Sequence, residues 1–221
     1  MNKVELIKLV VGPLRTNTYL LNLQETHSIL IDAGPGSFDR VIYYLDRYNV
    51  KLKYVLLTHA HFDHISDVQF IKEVTGAKVV MHHKDLELIE FAERISQTFR
   101  IRWKLPDIDI VLTNEKVLSI GDITINIIHT PGHTPGSICY YIEDIKWIFT
   151  GDTIFKGTIG RVDLPGGSYK DICYSIKRIT SLPGYTRIYP GHGPSTTIEE
   201  EKRENPYVRA ILVERYRHLI M

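Results

Sequence analysis

Cysteine is scarce in this sequence: Cys139 and Cys173 are its only two, which excludes a disulfide framework and a Cys-rich structural metal knot. Both read as small buried hydrophobes. No apolar run approaches membrane-spanning length, and no membrane association is expected. The opening stretch MNKVELIKLVVGPLRTNTYLL mixes polar and β-branched residues where an export signal needs an unbroken apolar core, so the expected location is cytoplasmic. An excess of either charge is lacking too. With 27 Lys and Arg against 26 Asp and Glu the formal net charge is +1, and nucleic acid is not expected as a partner. Any electrostatic selectivity must be local. No linker rich in Pro, Gly or Ser divides the 221 residues, so they are read as one domain, 1–221. Apolar residues at 43% and charged residues at 24% supply a core without help from disulfides.

Hydrophobic periodicity predicts strands at 4–11, 18–23 and 28–32, a helix within 38–48, and a strand at 53–57 that runs into a histidine cluster. A helix at 63–75, a strand at 78–81 and a helix at 85–95 follow. Residues 103–109 read as irregular. Strands are predicted again at 116–119, 122–129, 137–142 and 146–149, then a helix at 170–180, a short strand at 187–189 and a terminal helix at 206–220. The pattern is α+β, with two mixed sheets and helices outside them.

The strongest local signal is T-H-A-H-F-D-H at 58–64, which places His59, His61, Asp63 and His64 directly after an apolar strand. Neutral imidazole and carboxylate suit zinc, iron and manganese, and the absence of thiolates favours an open catalytic site over a structural one. Three later positions share the same context. Residues 123–128 lead to His129-Thr-Pro-Gly-His133, 147–149 to Thr-Gly-Asp152, and 188–189 to Pro-Gly-His192. Each candidate follows an apolar strand and a tight turn, and loops at one end of a sheet gather on one edge. Thr58, Thr130, Thr134, Ser137 and Thr150 lie beside these ligands and are read as satisfying nearby backbone. His27, His82, His83 and His218 have no partner pattern and are left out of the site; His129, four residues before His133 at the end of a strand, is left unassigned.

In this order of motifs, HxHxDH, a later His, a later Asp and a final His, the chain resembles the metallo-β-lactamase superfamily. The stretches G-T-I-G-R-V-D-L-P-G-G at 157–167 and P-G-H-G-P at 190–194 look like its short bacterial branch related to glyoxalase II, the hydroxyacylglutathione hydrolases. The resemblance implies a four-layer αββα sandwich. It also implies two divalent ions, zinc foremost with iron or manganese as alternatives. His59, His61 and His133 would hold one ion, Asp63, His64 and His192 the other, and Asp152 would bridge them. By the same analogy a metal-bridging hydroxide cleaves a small anionic acyl thioester such as S-lactoylglutathione, Asp63 doubles as a catalytic residue that orients the hydroxide, and Arg161 binds the substrate carboxylate. Asp163 stands where that branch has an aromatic residue and Pro194 where it has tyrosine, and the chain ends at Met221, too soon after His192 for the C-terminal helical domain of the longer enzymes. The implied thiol carrier is therefore less defined than the thioester. The same superfamily offers an alternative, a persulfide dioxygenase with one iron on His59, His133 and Asp152. A non-enzymatic metal-binding module is the other alternative, and nuclease and β-lactamase action are not expected.

Overall fold

The computed structural model describes residues 4–23, 27–114, 117–120 and 122–217. These divide into two compact units, one drawn from 1–114 and 119–123, the other from 115–118 and 124–221.

The first unit carries a six-stranded sheet in sequence order: β1 (Val4–Val11), β2 (Thr16–Leu23), β3 (His27–Ile31), β4 (Lys51–Leu56), β5 (Lys78–His82) and β6 (Ile110–Leu112). β1 to β3 form an antiparallel meander, while β3 to β6 run parallel, so the sheet is mixed. The parallel strands are joined by helices, as crossover connections require: α1 (Phe38–Tyr48), α2 (Phe62–Ile65), α3 (Val68–Thr75) and α4 (Ile89–Thr98). Val41 and Leu45 of α1 and Val68 and Ile71 of α3 pack with Leu30, Val55 and Val79 of the strands in one core. Because β3 and β4 are parallel neighbours, with Ile31 opposite Leu56, both hand their chain over at the same sheet edge.

The predicted helix at 63–75 is broken at Ser66 and Asp67. The Ala33 amide donates to the His64 carbonyl at 2.7 Å, and the Asp67 amide donates to the Ala33 carbonyl at 2.9 Å. Those two groups would otherwise serve a continuous helix. The freed Asp67 carboxylate accepts from the Phe38 amide at the start of α1 and from Arg102 Nε. Gly34 is required in the same turn, since a Cβ there would lie 2.4 Å from the Asp63 carbonyl oxygen. The predicted helix at 85–95 starts later, after a 3-10 turn over His83–Leu88.

The second sheet runs β14-β13-β10-β9-β8-β7, with β7 (Val117–Ile120), β8 (Ile123–His129), β9 (Ile138–Ile142), β10 (Trp147–Gly151), β13 (Arg187–Pro190) and β14 (Thr196–Thr197). Lys116 of the predicted 116–119 strand and His218 to Ile220 of the predicted terminal helix lie outside the described residues. β10 and β13 run parallel, while β8 with β9, β9 with β10 and β13 with β14 run antiparallel. A small hairpin, β11 (Ile154–Phe155) and β12 (Thr158–Ile159), follows β10. The helices are α5 (Tyr169–Ile179), α6 (Ile198–Glu204) and α7 (Pro206–Arg217), and Ile172, Ile176, Ile198, Val208 and Ile211 pack on Ile148 and Ile188. Two mixed sheets with accompanying helices match the sequence expectation. No helix among the described residues is long and apolar enough to cross a membrane.

Candidate functional site

Each unit presents its own set of ligand-type side chains at strand ends. In the first unit, β4 leads into His59, His61, Asp63 and His64, all buried. The rings of His59 and His61 stand 4.8 Å apart between centroids, and those of His59 and His64 4.1 Å. His64 Nε2 lies 3.5 Å from Asp63 Oδ2, which also accepts a 2.7 Å hydrogen bond from Thr16 Oγ1.

Asp32, at the end of β3, organises this set. Its Oδ1 accepts from the Thr58 amide at 2.8 Å, and its Oδ2 accepts from Thr58 Oγ1 at 2.8 Å and meets His64 Nδ1 at 2.7 Å. A carboxylate only accepts, so His64 carries its proton on Nδ1. The Thr58 hydroxyl donates its hydrogen bond to Asp32, so in the 3.0 Å contact with His59 Nδ1 the ring nitrogen donates and the hydroxyl oxygen accepts. In the neutral imidazoles of both histidines the lone pair is therefore on Nε2. This is the tautomer a metal-ligating histidine needs, fixed as such sites usually fix it. Asp32 holds its place in the left-handed region, with φ of 57°.

In the second unit, His133 sits in the loop between β8 and β9, Asp152 follows β10, and His192 follows β13. β10 and β13 are parallel neighbours and β8 runs alongside β9, which places all three loops at one sheet edge. His133 Nδ1 donates to the Arg161 carbonyl at 2.8 Å, which again leaves the lone pair on Nε2. Asp152 Oδ2 lies 3.5 Å from His133 Nε2 and 3.5 Å from His192 Nε2. Two donors on a tetrahedral ion with bonds of about 2.05 Å are about 3.3 Å apart, so these spacings fit shared coordination. The donor set of imidazole nitrogen and carboxylate oxygen without thiolate fits zinc, iron or manganese.

The loops are pinned by short polar contacts. The Gly191 amide donates to the Gly151 carbonyl at 2.7 Å, and Thr130 Oγ1 meets Thr153 Oγ1 at 3.1 Å. Thr134 and Ser137 bond each other, and Thr150 Oγ1 donates to the Ile154 carbonyl, as expected of turn hydroxyls. Thr58 departs from that expectation, since it bonds both Asp32 and a candidate ligand. Gly160 admits no side chain: a Cβ would lie 1.9 Å from the Asp152 carbonyl oxygen and 3.2 Å from His133 Cβ. Cys139 lies beneath this region, 3.3 Å from Thr130 Oγ1, and burial pushes its thiol up to about 11. It stays protonated at neutral pH.

Arg161 is more than half exposed, and its fork is engaged. Nε and Nη2 each donate at 2.7 Å to the two carboxylate oxygens of Asp163, and the guanidinium holds the Asp163 carboxyl down at about 2. The histidines left out of the site have ordinary roles where the structure describes them. His129 Nε2 bonds the Pro135 carbonyl, His83 Nδ1 the Leu112 carbonyl, and the His82 ring lies tilted against that of His83.

Sequence reasoning missed Asp32 and Thr16. Asp32 could have been found, because D-A-G-P-G after an apolar strand repeats the context that singled out Asp152.

A family model described as Metallo-beta-lactamase superfamily matches residues 11–192. Hydroxyacylglutathione hydrolase GloC of Haemophilus influenzae is 34% identical over 208 residues, covering 90% of this chain and 96% of its own. Two solved structures are similar throughout. BLEG-1 B3 metallo-beta-lactamase superposes with a TM-score of 0.86 at 36% identity, covering 92% of this chain and 99% of that one. TTHA1623 in a di-iron-bound form gives 0.83 at 35% identity, covering 91% and 99%.

Proposed function

The chain belongs to the metallo-beta-lactamase superfamily as a metal-dependent hydrolase, and on that premise we propose that the bond it cleaves is a thioester, as in S-lactoylglutathione or a related hydroxyacyl thioester. The choice of bond is supported by the identity to a hydroxyacylglutathione hydrolase across nearly the full length of both chains. The geometric observation that supports a metal centre is Asp152 Oδ2, equally spaced at 3.5 Å from two imidazole nitrogens that follow different strands. The ligands proposed are His59, His61 and His133 for one divalent ion and Asp63, His64 and His192 for the other, with Asp152 shared. Zinc is the proposed native metal, and the di-iron form of TTHA1623 makes iron the alternative to test. When bound, such a pair supplies Lewis acidity and a water acidified to near neutral pH.

The chain's own part is orientation. Asp32, Thr58 and the Arg161 carbonyl hold three imidazoles in one tautomer, and Thr16 holds one carboxylate oxygen of Asp63. Asp63 is proposed to orient the attacking water as well as bind metal, so Asp63→Asn should lower both metal occupancy and turnover.

The deciding experiment combines elemental analysis of the purified protein with assays on S-lactoylglutathione, a glutathione persulfide and a chromogenic cephalosporin. Two metals per chain and release of glutathione are expected. One iron per chain with oxygen consumed on the persulfide overturns the hydrolase reading. Cleavage of the cephalosporin with the thioester left intact overturns the thioester.

A further inference from the structure

The segment 160–163 packs directly on two candidate ligands. Its Gly160 approaches the Asp152 carbonyl and the Cβ of His133, and the next carbonyl, that of Arg161, accepts from His133 Nδ1. The Gly160 amide donates to the Thr153 carbonyl at 3.2 Å. The backbone of this segment is thus fixed beside the ligand loops, while the side chains of Arg161 and Asp163 reach solvent at 61% and 65% exposure. Two parallel 2.7 Å bonds join them, the planar fork geometry with which arginine binds a carboxylate. Resting on the hydrolase reading for where substrates arrive, we propose that Asp163 is a specificity-determining residue: an internal carboxylate that fills the Arg161 fork and denies it to substrates recognised through a carboxylate of their own.

The chemistry has two parts. A substrate carboxylate at this position must displace one already in place with both oxygens bonded, so it gains only the difference between two similar interactions. The pair is also neutral as a whole, so the segment contributes no net attraction to an incoming anion. The carboxyl of Asp163 is held far below the usual range by its hydrogen bonds from Arg161, so the pair is charged throughout the neutral range. Acyl thioesters whose carrier presents an uncharged group here lose nothing. The arrangement therefore removes the advantage a carrier carboxylate would otherwise gain at Arg161, which sharpens the substrate class left open by the thioester assignment.

The test is calorimetric binding of S-methylglutathione, a thioether that no hydrolase can turn over, against its dimethyl ester. The wild-type protein should bind the two within about twofold. Asp163→Asn keeps the shape and removes the charge, and it should bind the free acid about fivefold tighter with the ester unchanged, the size expected when an exposed ion pair is released. Adding Arg161→Gln to that variant should abolish the gain. The proposal is overturned if Asp163→Asn binds the acid no tighter, if acid and ester tighten alike, or if the gain survives in the double variant. Failure of the hydrolase reading looks different: S-lactoylglutathione stays intact while the calorimetric contrast persists, which leaves the role of Asp163 in place.

Discussion

Asp32 touches no substrate in this scheme, yet two candidate ligands depend on its one carboxylate, His64 directly and His59 through the Thr58 hydroxyl. Asp32→Asn replaces an oxygen by an amide that donates. The Thr58 amide keeps the carbonyl oxygen at the Oδ1 position, so the new amide nitrogen takes the place of Oδ2, both contacts there meet a donor, and the tautomers of His64 and His59 are no longer fixed. Loss of such a partner typically lowers metal affinity by about 10–100-fold. Competition titration against a chromophoric zinc chelator should show that loss, with the circular dichroism spectrum unchanged. Unchanged affinity would mean that the ligands are oriented by something other than this carboxylate. The contrast between Asp32 and the seven ligand candidates explains what a sequence reveals at this scale. His59, His133, Asp152 and His192 announce themselves because each is a metal-type side chain placed just beyond an apolar strand. Asp32 has the same placement but reads as the last residue of the strand predicted at 28–32, and its partners emerge only when β3 and β4 become neighbours. Thr16 carries no local signal at all, since its bond to Asp63 spans 47 positions of sequence.

At the scale of elements, the long strands and helices follow their periodicity, and the departures have local causes. The pattern from 63 to 75 reads as one helix because its apolar spacing continues across Ser66 and Asp67. The break is made by Ala33, which bonds the backbone on both sides of it from a distant turn. The run E-E-E-K-R-E at 199–204 has the composition of a solvated charged face, yet in the structure it forms a capped helix, α6, with a buried carboxylate. Thr197 and Glu200 form a reciprocal capping box, Glu201 is buried, and its Oε2 accepts from the amide of Gly157 in the turn between β11 and β12. Asn205 Nδ2 donates to the Thr158 carbonyl of the same hairpin at 3.0 Å. α6 therefore holds the hairpin that precedes Gly160 and Arg161. Thr197→Ala removes the hydroxyl that accepts from the Glu200 amide, and losses of this kind cost about 1 kcal/mol. Urea denaturation should show a lower midpoint with an unchanged slope. An unchanged midpoint would show that the packing of Ile198 holds α6 without its cap.

For the molecule as a whole, near-neutral charge leaves little long-range steering, so recognition falls to groups close to the ligands, such as the Arg161 and Asp163 pair. Stability has a larger conditional part. The seven ligand-type residues fall in four separate stretches, 59–64, His133, Asp152 and His192, and an unfolded chain does not bring those stretches together. Metal that binds the native state alone stabilises it by mass action, by about 2.7 kcal/mol at a hundredfold excess over its dissociation constant. For a chain of this size each kcal/mol moves the unfolding midpoint by about 2–4 °C, so chelation should lower it by about 5–10 °C. Scanning calorimetry of chelated and zinc-reloaded protein measures the difference directly. Reloading should restore the higher midpoint, and the gain should shrink in Asp32→Asn because metal binds that variant more weakly. Equal midpoints with and without metal would mean that the ligand sets do not bind it in the native state, and the metal-dependent chemistry assigned to them would fall with that result.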